Sequence, residues 1–363
     1  MTASTHGWTS SNSLPKRIRP MRTSEEARRH IIRLLGDLIG EDIMVMLSQN
    51  KVNDVSCNPD GHVYIKVKNE RTKLGLKIDW EVSAQIVSYV ADLMGRSADD
   101  TSAIVEAPLR FLNARFVGGM PPHTERPWWH IRSHARESFS LQSYLDTGRC
   151  SDHAMNAINM AMELRMNCAI IGTTGSGKTG FLDALGGHPR RAAERTIVVE
   201  EIPEVKMDGV GNKVLMTADP RRIWHGKDDR QRFRLVSEEM NRLVRAALLA
   251  DPDCIMMGEV RGGEFLELLK AIYAGHGSAM FTGHADHPVD FLHRAEMMLA
   301  EAVSDSRAYR NMLCRAIHRI VLMRRDTERG SGNVIGVYQP IGYNEDQGSY
   351  VVSTLAGKSH LDF

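Results

Sequence analysis

The chain has 363 residues, 42% of them apolar and 25% charged, enough apolar material for about two domains and too much for a disordered chain. Lys and Arg number 46 against 45 Asp and Glu, a net charge of +1. That balance argues against a protein that coats nucleic acid through bulk charge, and no direct sequence-specific nucleic-acid binding is expected.

No apolar run approaches the roughly 18 residues needed to span a bilayer, and the N-terminus has no apolar signal-peptide core. The 5 cysteines (Cys57, Cys150, Cys168, Cys254, Cys314) are scattered and form no CxxC or Cys/His cluster. They read as small buried hydrophobes in a reducing, cytoplasmic setting.

Residues 1–23 are rich in Ser, Thr, Pro, Lys and Arg and read as a flexible basic tail. From Ser24, a candidate N-cap, SEEARRHIIRLLGDLIGEDIMVML carries apolar residues at helical spacing and predicts one helix. The alternating segments VNDVSC and HVYIKVK, joined by Asn58-Pro59-Asp60-Gly61, predict a β-hairpin. IDWEVSAQIVSYVADLMGR predicts a second amphipathic helix, and short strands follow at 103–106 and 109–117. The tract Gly118-Gly119-Met120-Pro121-Pro122 is expected to break regular structure. Residues 24–138 thus read as a small α+β domain, and 139–150 as a linker with a cap at Ser140.

Residues 151–363 alternate differently. Helix 152–165 leads to strand 167–171, a glycine loop, a helix from Lys178 and strand 196–200. A helix at about 236–250, strand 254–257, helix 264–273, strand 278–282 and a helical run to about 317 follow. The alternation predicts an open, mostly parallel α/β sheet with helices on both faces. HRIVLMRRD, GNVIGVYQPI and GSYVVSTL then read as antiparallel strands.

The strongest motif is Gly172-Thr173-Thr174-Gly175-Ser176-Gly177-Lys178-Thr179, a full G-x-x-x-x-G-K-[ST] between strand and helix. Its glycines let successive N–H groups face one anion, and the helix N-terminus adds its dipole. Lys178 would reach the β- and γ-phosphates of ATP, and the Thr179 hydroxyl would ligate Mg²⁺. A carboxylate after an apolar strand, Glu259, is placed to join the Mg²⁺ shell. At Glu200-Glu201 a second strand ends in two acids, and alternation along a strand lets one of them face the nucleotide and orient or deprotonate a water.

At this point the residues resemble a family. The run GEVRGGEFLELLKAIYAGHGSAMFTGHAD is similar to the secretion ATPase superfamily, which includes type II and type IV secretion motors and pilus ATPases. The likeness is closest to the conjugal-transfer, type IV secretion branch of the TrbB kind. Asn58-Pro59-Asp60-Gly61, Arg115-Phe116 through Pro121-Pro122, and Ile131-Arg132 with Phe139-Ser140-Leu141 resemble the family's N-terminal passages. Walker A is Gly172–Thr179, the Asp box runs from Glu200 to Glu204, Walker B is Gly258-Glu259, and the His box runs from Gly275-His276-Gly277 to His284. Glu201 stands where an Asp is usual, Gly283 where a Leu or Ile is common, and Asp286 replaces a more usual Asn, Thr or Gly.

The resemblance implies a RecA-like P-loop domain behind a PAS-like N-terminal domain, with ATP held between them and Mg²⁺ near Thr179, Glu259 and Glu201. It implies Glu200 as the catalytic glutamate, with Arg115 and Arg132 on the phosphates. Of Arg245 and Arg261, one would be a phosphate sensor and the other a strut to Walker B. His284 would sense phosphate or brace its strand. It further implies a homohexamer that powers or gates a type IV secretion or conjugal transfer system, partnered by inner-membrane subunits. Such a motor would be cytoplasmic, with a peripheral place at the membrane open to it. The alternatives are a type IV pilus or type II secretion ATPase, a P-loop small-molecule kinase using the basic stretch 221–234, and a non-catalytic nucleotide-gated scaffold.

Overall fold

The computed structural model describes residues 25–49, 51–67, 70–95, 104–133, 139–223, 229–275, 278–301, 303, 305–326 and 332–357. The basic tail, Ser24, His276 and Gly277 lie outside the described residues. The first half folds as α1 (Glu25–Ile39), α2 (Glu41–Ser48), β1 (Asp54–Cys57), β2 (His62–Val67), β3 (Glu70–Lys77), α3 (Trp80–Leu93), β4 (Ile104–Leu109), β5 (Ala114–Gly119) and β6 (Trp128–Ser133). The helix predicted from residue 24 is two helices. Gly40 sits at φ +100°, outside the helical region, and splits α1 from α2.

These strands form one antiparallel sheet in the order β3-β2-β1-β6-β5-β4. Its core includes Leu35, Val55, Ile86, Val90, Phe116, Trp129 and Ile131. The glycine tract does not interrupt regular structure where expected, because β5 runs through Gly118 and Gly119 against Trp129 and Trp128 of β6.

The segment expected as a linker carries α4 (Leu141–Asp146), capped by the Ser140 hydroxyl accepting from the Ser143 N–H at 3.1 Å. Tyr144 and Cys150 from this segment are buried in the core of the second half. Tyr144 meets Phe181 edge-to-face at 5.0 Å.

The second half continues with α5 (Asp152–Glu163), β7 (Cys168–Ile171), α6 (Lys178–Gly186), β8 (Thr196–Glu200), β9 (Lys213–Thr217), α7 (Pro220–Ile223) and α8 (Asp229–Leu249). It ends with β10 (Cys254–Met257), α9 (Glu264–Tyr273), β11 (Ala279–Gly283), α10 (Pro288–Ala300), α11 (Arg310–Ala316), β12 (Arg319–Arg325), β13 (Gly332–Asn344) and β14 (Ser349–Gly357). The sheet order is β14-β13-β12-β7-β11-β10-β8-β9.

β7 to β12 are mutually parallel wherever they pair, and β13 pairs antiparallel with both β12 and β14, so it alone runs against the others. The three closing strands pair antiparallel in turn as expected, and the first of them, β12, also lies parallel beside β7, which joins them to the main sheet. The central strands are four or five residues long and fully buried, as strands covered on both faces must be. Their alternate residues serve two cores. Ala169, Ile171, Val199 and Phe281 pack with α8 to α11, and Cys168, Ile170, Val198 and Met280 with α5 and α6.

Candidate functional site

Parallel strands send their carboxyl ends to one edge of a sheet, and ligands bind there. The glycine loop leaves β7, Glu200 ends β8, Glu259 lies two residues past β10, and His284 follows β11 directly. In the loop, Gly172, Gly175 and Gly177 take φ of +154°, +78° and +88°. A β-carbon on Gly172 would stand 2.3 Å from the Met323 carbonyl oxygen, so no larger residue fits. α6 begins at Lys178, within the loop, so the helix N-terminus with its first N–H groups stands at the loop. The Ser176 hydroxyl is buried with no partner. Lys178 is also buried, and its ammonium donates to the carbonyls of Gly172 and Thr173, each at 2.9 Å. A buried ammonium held by two weak acceptors, beside an orphaned hydroxyl and a helix N-terminus, fits a phosphate group.

The acids behind the loop differ sharply in state. Glu200 is 3% exposed, and burial pushes its carboxyl up to about 8 although the N–H groups of Glu204 and Val205 donate to it. Gly258 leaves the space that Glu200 fills: a β-carbon there would lie 2.8 Å from the Glu200 Cγ. For Glu259, burial also acts upward, but hydrogen bonds from His284 and Arg261 outweigh it and hold the carboxyl at about 2.

Hydrogen bonds and ion pairs form a continuous chain. Lys178 Nζ lies 3.4 Å from His284 Nδ1, and His284 Nε2 lies 2.9 Å from Glu259 Oε1. Arg261 joins Glu259 at 2.6 Å to Glu201 at 3.1 Å. An ammonium cannot accept, so His284 Nδ1 is the acceptor and Nε2 carries the proton that goes to Glu259.

Thr179, Glu200, Glu201, Glu259 and Arg261 line one cavity of about 320 Å³, walled on its apolar side by Ile202, Phe233, Val236 and Met240. Arg115 of β5 also lines this cavity, so the first sheet contributes to it. Arg110 of the first half donates to Thr217 of β9 at 2.6 Å and ties the halves together beside it.

Residues 41–345 match the family described as type II/IV secretion system protein. The chain belongs to this family. It is similar to conjugal transfer protein TrbB of Rhizobium radiobacter, 28% identical over 282 residues that cover 77% of this chain and 82% of that protein. Its fold resembles the Legionella pneumophila ATPase DotB (TM-score 0.56, 14% identity, 84% of this chain and 81% of that one). It also resembles the pilus retraction motor PilT with bound ADP (TM-score 0.54, 15% identity, 88% and 83%). These two likenesses are of fold.

Against this secretion-family frame, the cavity gathers Thr179, Glu200, Glu201, Glu259 and Arg115, and His284 touches both Lys178 and Glu259. Arg132 is placed differently. It is the cross-strand neighbour of Arg115, but its Nε donates to Asp54 at 2.8 Å and it is not among the cavity's lining residues. Of the two further arginines, Arg261 pairs with Glu259 and Glu201, whereas Arg245 pairs with Glu267 on the exposed side of α8. Among the described residues, no three His, Cys, Asp or Glu side chains gather as a metal-holding group. A hydroxyl and one ionised carboxylate at the cavity are hard oxygen donors of the sort Mg²⁺ uses when phosphates supply further ligands.

Sequence reading missed Asp54 and His130. His130 bonds Asp54 at 3.1 Å, and His130 and Arg132 together hold the Asp54 carboxyl at about 2 against the upward effect of burial. The only local signal was alternation, which puts His130 and Arg132 on one face of β6.

Proposed function

We propose that the chain is an ATP-hydrolysing motor that works as a homohexamer and powers or gates a type IV secretion or conjugal transfer machine. The observation that carries this reading is the single cavity shared by Thr179, Glu200, Glu259 and, from the other sheet, Arg115. In this reading, residues 24–138 are a PAS-like N-terminal domain, residues 139–150 join the two, and residues 151–363 are a RecA-like domain.

Lys178 exchanges its two backbone carbonyls for the β- and γ-phosphate oxygens of ATP. Thr173, Thr174, Ser176 and the loop glycines supply N–H groups to the same phosphates. Thr179 and Glu259, with Glu201 nearby, would hold Mg²⁺, which neutralises phosphate charge. Glu200 takes the proton of the attacking water, and a carboxyl at about 8 is well matched to that task near neutral pH. Arg115 brings positive charge to the side of the cavity facing the N-terminal sheet, where negative charge grows in the transition state.

The motor is proposed to act in the cytoplasm, with a peripheral position against inner-membrane machinery subunits. Among the described residues, no helix is long and apolar enough to cross a membrane. The deciding experiment couples size-exclusion chromatography to phosphate release. A hexamer that hydrolyses ATP without an added acceptor supports the motor. A monomer that turns over only with a small-molecule acceptor supports a kinase instead.

A further inference from the structure

Beyond the Met323 carbonyl that packs on Gly172, the hairpin of β12 and β13 supplies nothing to the nucleotide site described above, yet it is built against the phosphate loop. β12 lies parallel beside β7, with Leu322 opposite Ile171, so its next residues run alongside the loop. The Met323 carbonyl packs on Gly172, and Gly332 of β13 packs on Gly177: a β-carbon on Gly177 would lie 3.2 Å from the Gly332 Cα. The register shifts between Leu322 and Met323, which pair with Gly336 and Val334, so the extra residue is Ile335 of β13 and alternation along β12 is kept. Val321 and Met323 are buried in the core beneath the loop and α6, and by alternation Arg325 belongs to their face. Arg325 is exposed, and its Nη1 lies 3.7 Å from where a Gly175 β-carbon would be. Gly175, at φ +78°, is near the tip of the loop.

We infer that Arg325 is a nucleotide-binding residue, supplied by the C-terminal hairpin, that contacts a phosphate group of a nucleoside di- or triphosphate held in the loop. Lys178 approaches that anion from inside the loop and Arg325 from outside, over its tip. A guanidinium is suited to this place because it is always charged and its planar fork matches two phosphate oxygens at once. The hairpin is thereby one wall of the nucleotide site, and β12 links the loop to the far edge of the sheet. This inference rests on the nucleotide reading given above.

The test is calorimetric titration of the full-length chain with MgADP and with adenosine, at two salt concentrations. Arg325→Ala is expected to weaken MgADP binding by about 10-fold or more, the scale of a lost hydrogen bond to a charged group, and to leave adenosine binding unchanged. Its MgADP affinity should also depend less on salt. Arg325→Lys, which keeps the charge and loses the fork, should fall between wild type and Arg325→Ala, and it carries the test if the alanine variant does not fold.

Equal MgADP affinity in wild type and Arg325→Ala overturns the inference. So does an equal loss of MgADP and adenosine, which would mark a structural residue. The two failures separate cleanly. A wild-type chain that binds no MgADP refutes the nucleotide reading itself, whereas wild-type binding that is insensitive to residue 325 refutes only the role of Arg325.

Discussion

Lys178 and Glu259 are joined through one imidazole, with His284 Nδ1 3.4 Å from the lysine ammonium and Nε2 2.9 Å from the carboxylate. The loop lysine and the Walker B acid are therefore not independent. In the proposed mechanism Lys178 would leave its carbonyls for a phosphate; His284 would then lose a donor at Nδ1, and the group that holds Glu259 ionised would feel the change. The proposed mechanism would make His284 a positioning residue, acting through Lys178 and Glu259.

His284→Ala is expected to lower ATP turnover by about 10–100-fold, the usual cost of losing a partner that orients a metal-binding carboxylate. ADP affinity should stay within a few-fold of wild type, because Lys178 and the loop remain. Turnover and ADP binding measured on the same preparation check this. Equal losses in both would place His284 in nucleotide binding instead.

Lys178→Ala should keep the fold and lose turnover by about 10²–10³-fold, since the ammonium meets charge that develops in the transition state. Circular dichroism and phosphate release read the two halves of this expectation. A folded variant with wild-type turnover would remove the phosphate loop from the chemistry.

The state of Glu200 sets a pH dependence. Its carboxyl is pushed up to about 8 by burial, and a general base works only when deprotonated. The rate should therefore rise with pH through about 8 and level off above it. Glu200→Gln should bind ATP, lose about 10²–10⁴-fold in rate, and show no such rise. A pH–rate profile of the two proteins decides the matter, and an unchanged profile in the variant would reassign the base.

Gly258→Ala removes no reactive group, yet its β-carbon would stand 2.8 Å from both Cγ and Oε1 of Glu200. Glu200 is buried and held by two N–H groups, so it must shift rather than swing into solvent. A displacement of that size costs roughly 10²-fold in rate. Turnover of Gly258→Ala, compared with its nucleotide affinity, checks this; only turnover should fall.

These relationships were unequally legible in the chain. The phosphate loop was readable because its chemistry is local: glycines, lysine and threonine act within eight consecutive positions. The buried parallel strands were readable as short apolar runs. β3 was not, because ERTKLGLK is exposed on both faces of a sheet edge and carries no apolar period. β9 is an edge strand without a fully buried residue and β6 follows a proline-rich tract, and neither stood out. The Lys178–His284–Glu259 chain spans 106 residues from loop to histidine, and only the strand order β7-β11-β10 brings the three together. An exposed arginine such as Arg325 gives no signal at all until β12 is known to lie beside β7.

The last expectation concerns Arg132. Asp54 and Arg132 face each other across β1 and β6, and Arg132 is itself opposite Arg115 across β5 and β6. Arg132 is thus one strand away from the cavity, with its guanidinium engaged by a carboxylate held at about 2. Because that carboxyl sits below its ordinary range, the stability it contributes is complete above the usual carboxylate pKa and fades as pH falls through about 2. At working pH the pair is fully charged, and any role of Arg132 on a phosphate must compete with Asp54. A ligand can bias such a choice only by its different contacts in the two states. Asp54→Asn removes the competing charge while keeping the side chain's shape. If Arg132 serves the nucleotide, Asp54→Asn should bind a non-hydrolysable ATP analogue about 5-fold more tightly. Arg132→Ala should bind it more weakly, and the double variant should match Arg132→Ala, since the effect of Asp54 runs through the arginine. Titration of the three variants and wild type distinguishes this from a structural pair. In that case Asp54→Asn would lower thermal stability and leave the affinity where it was.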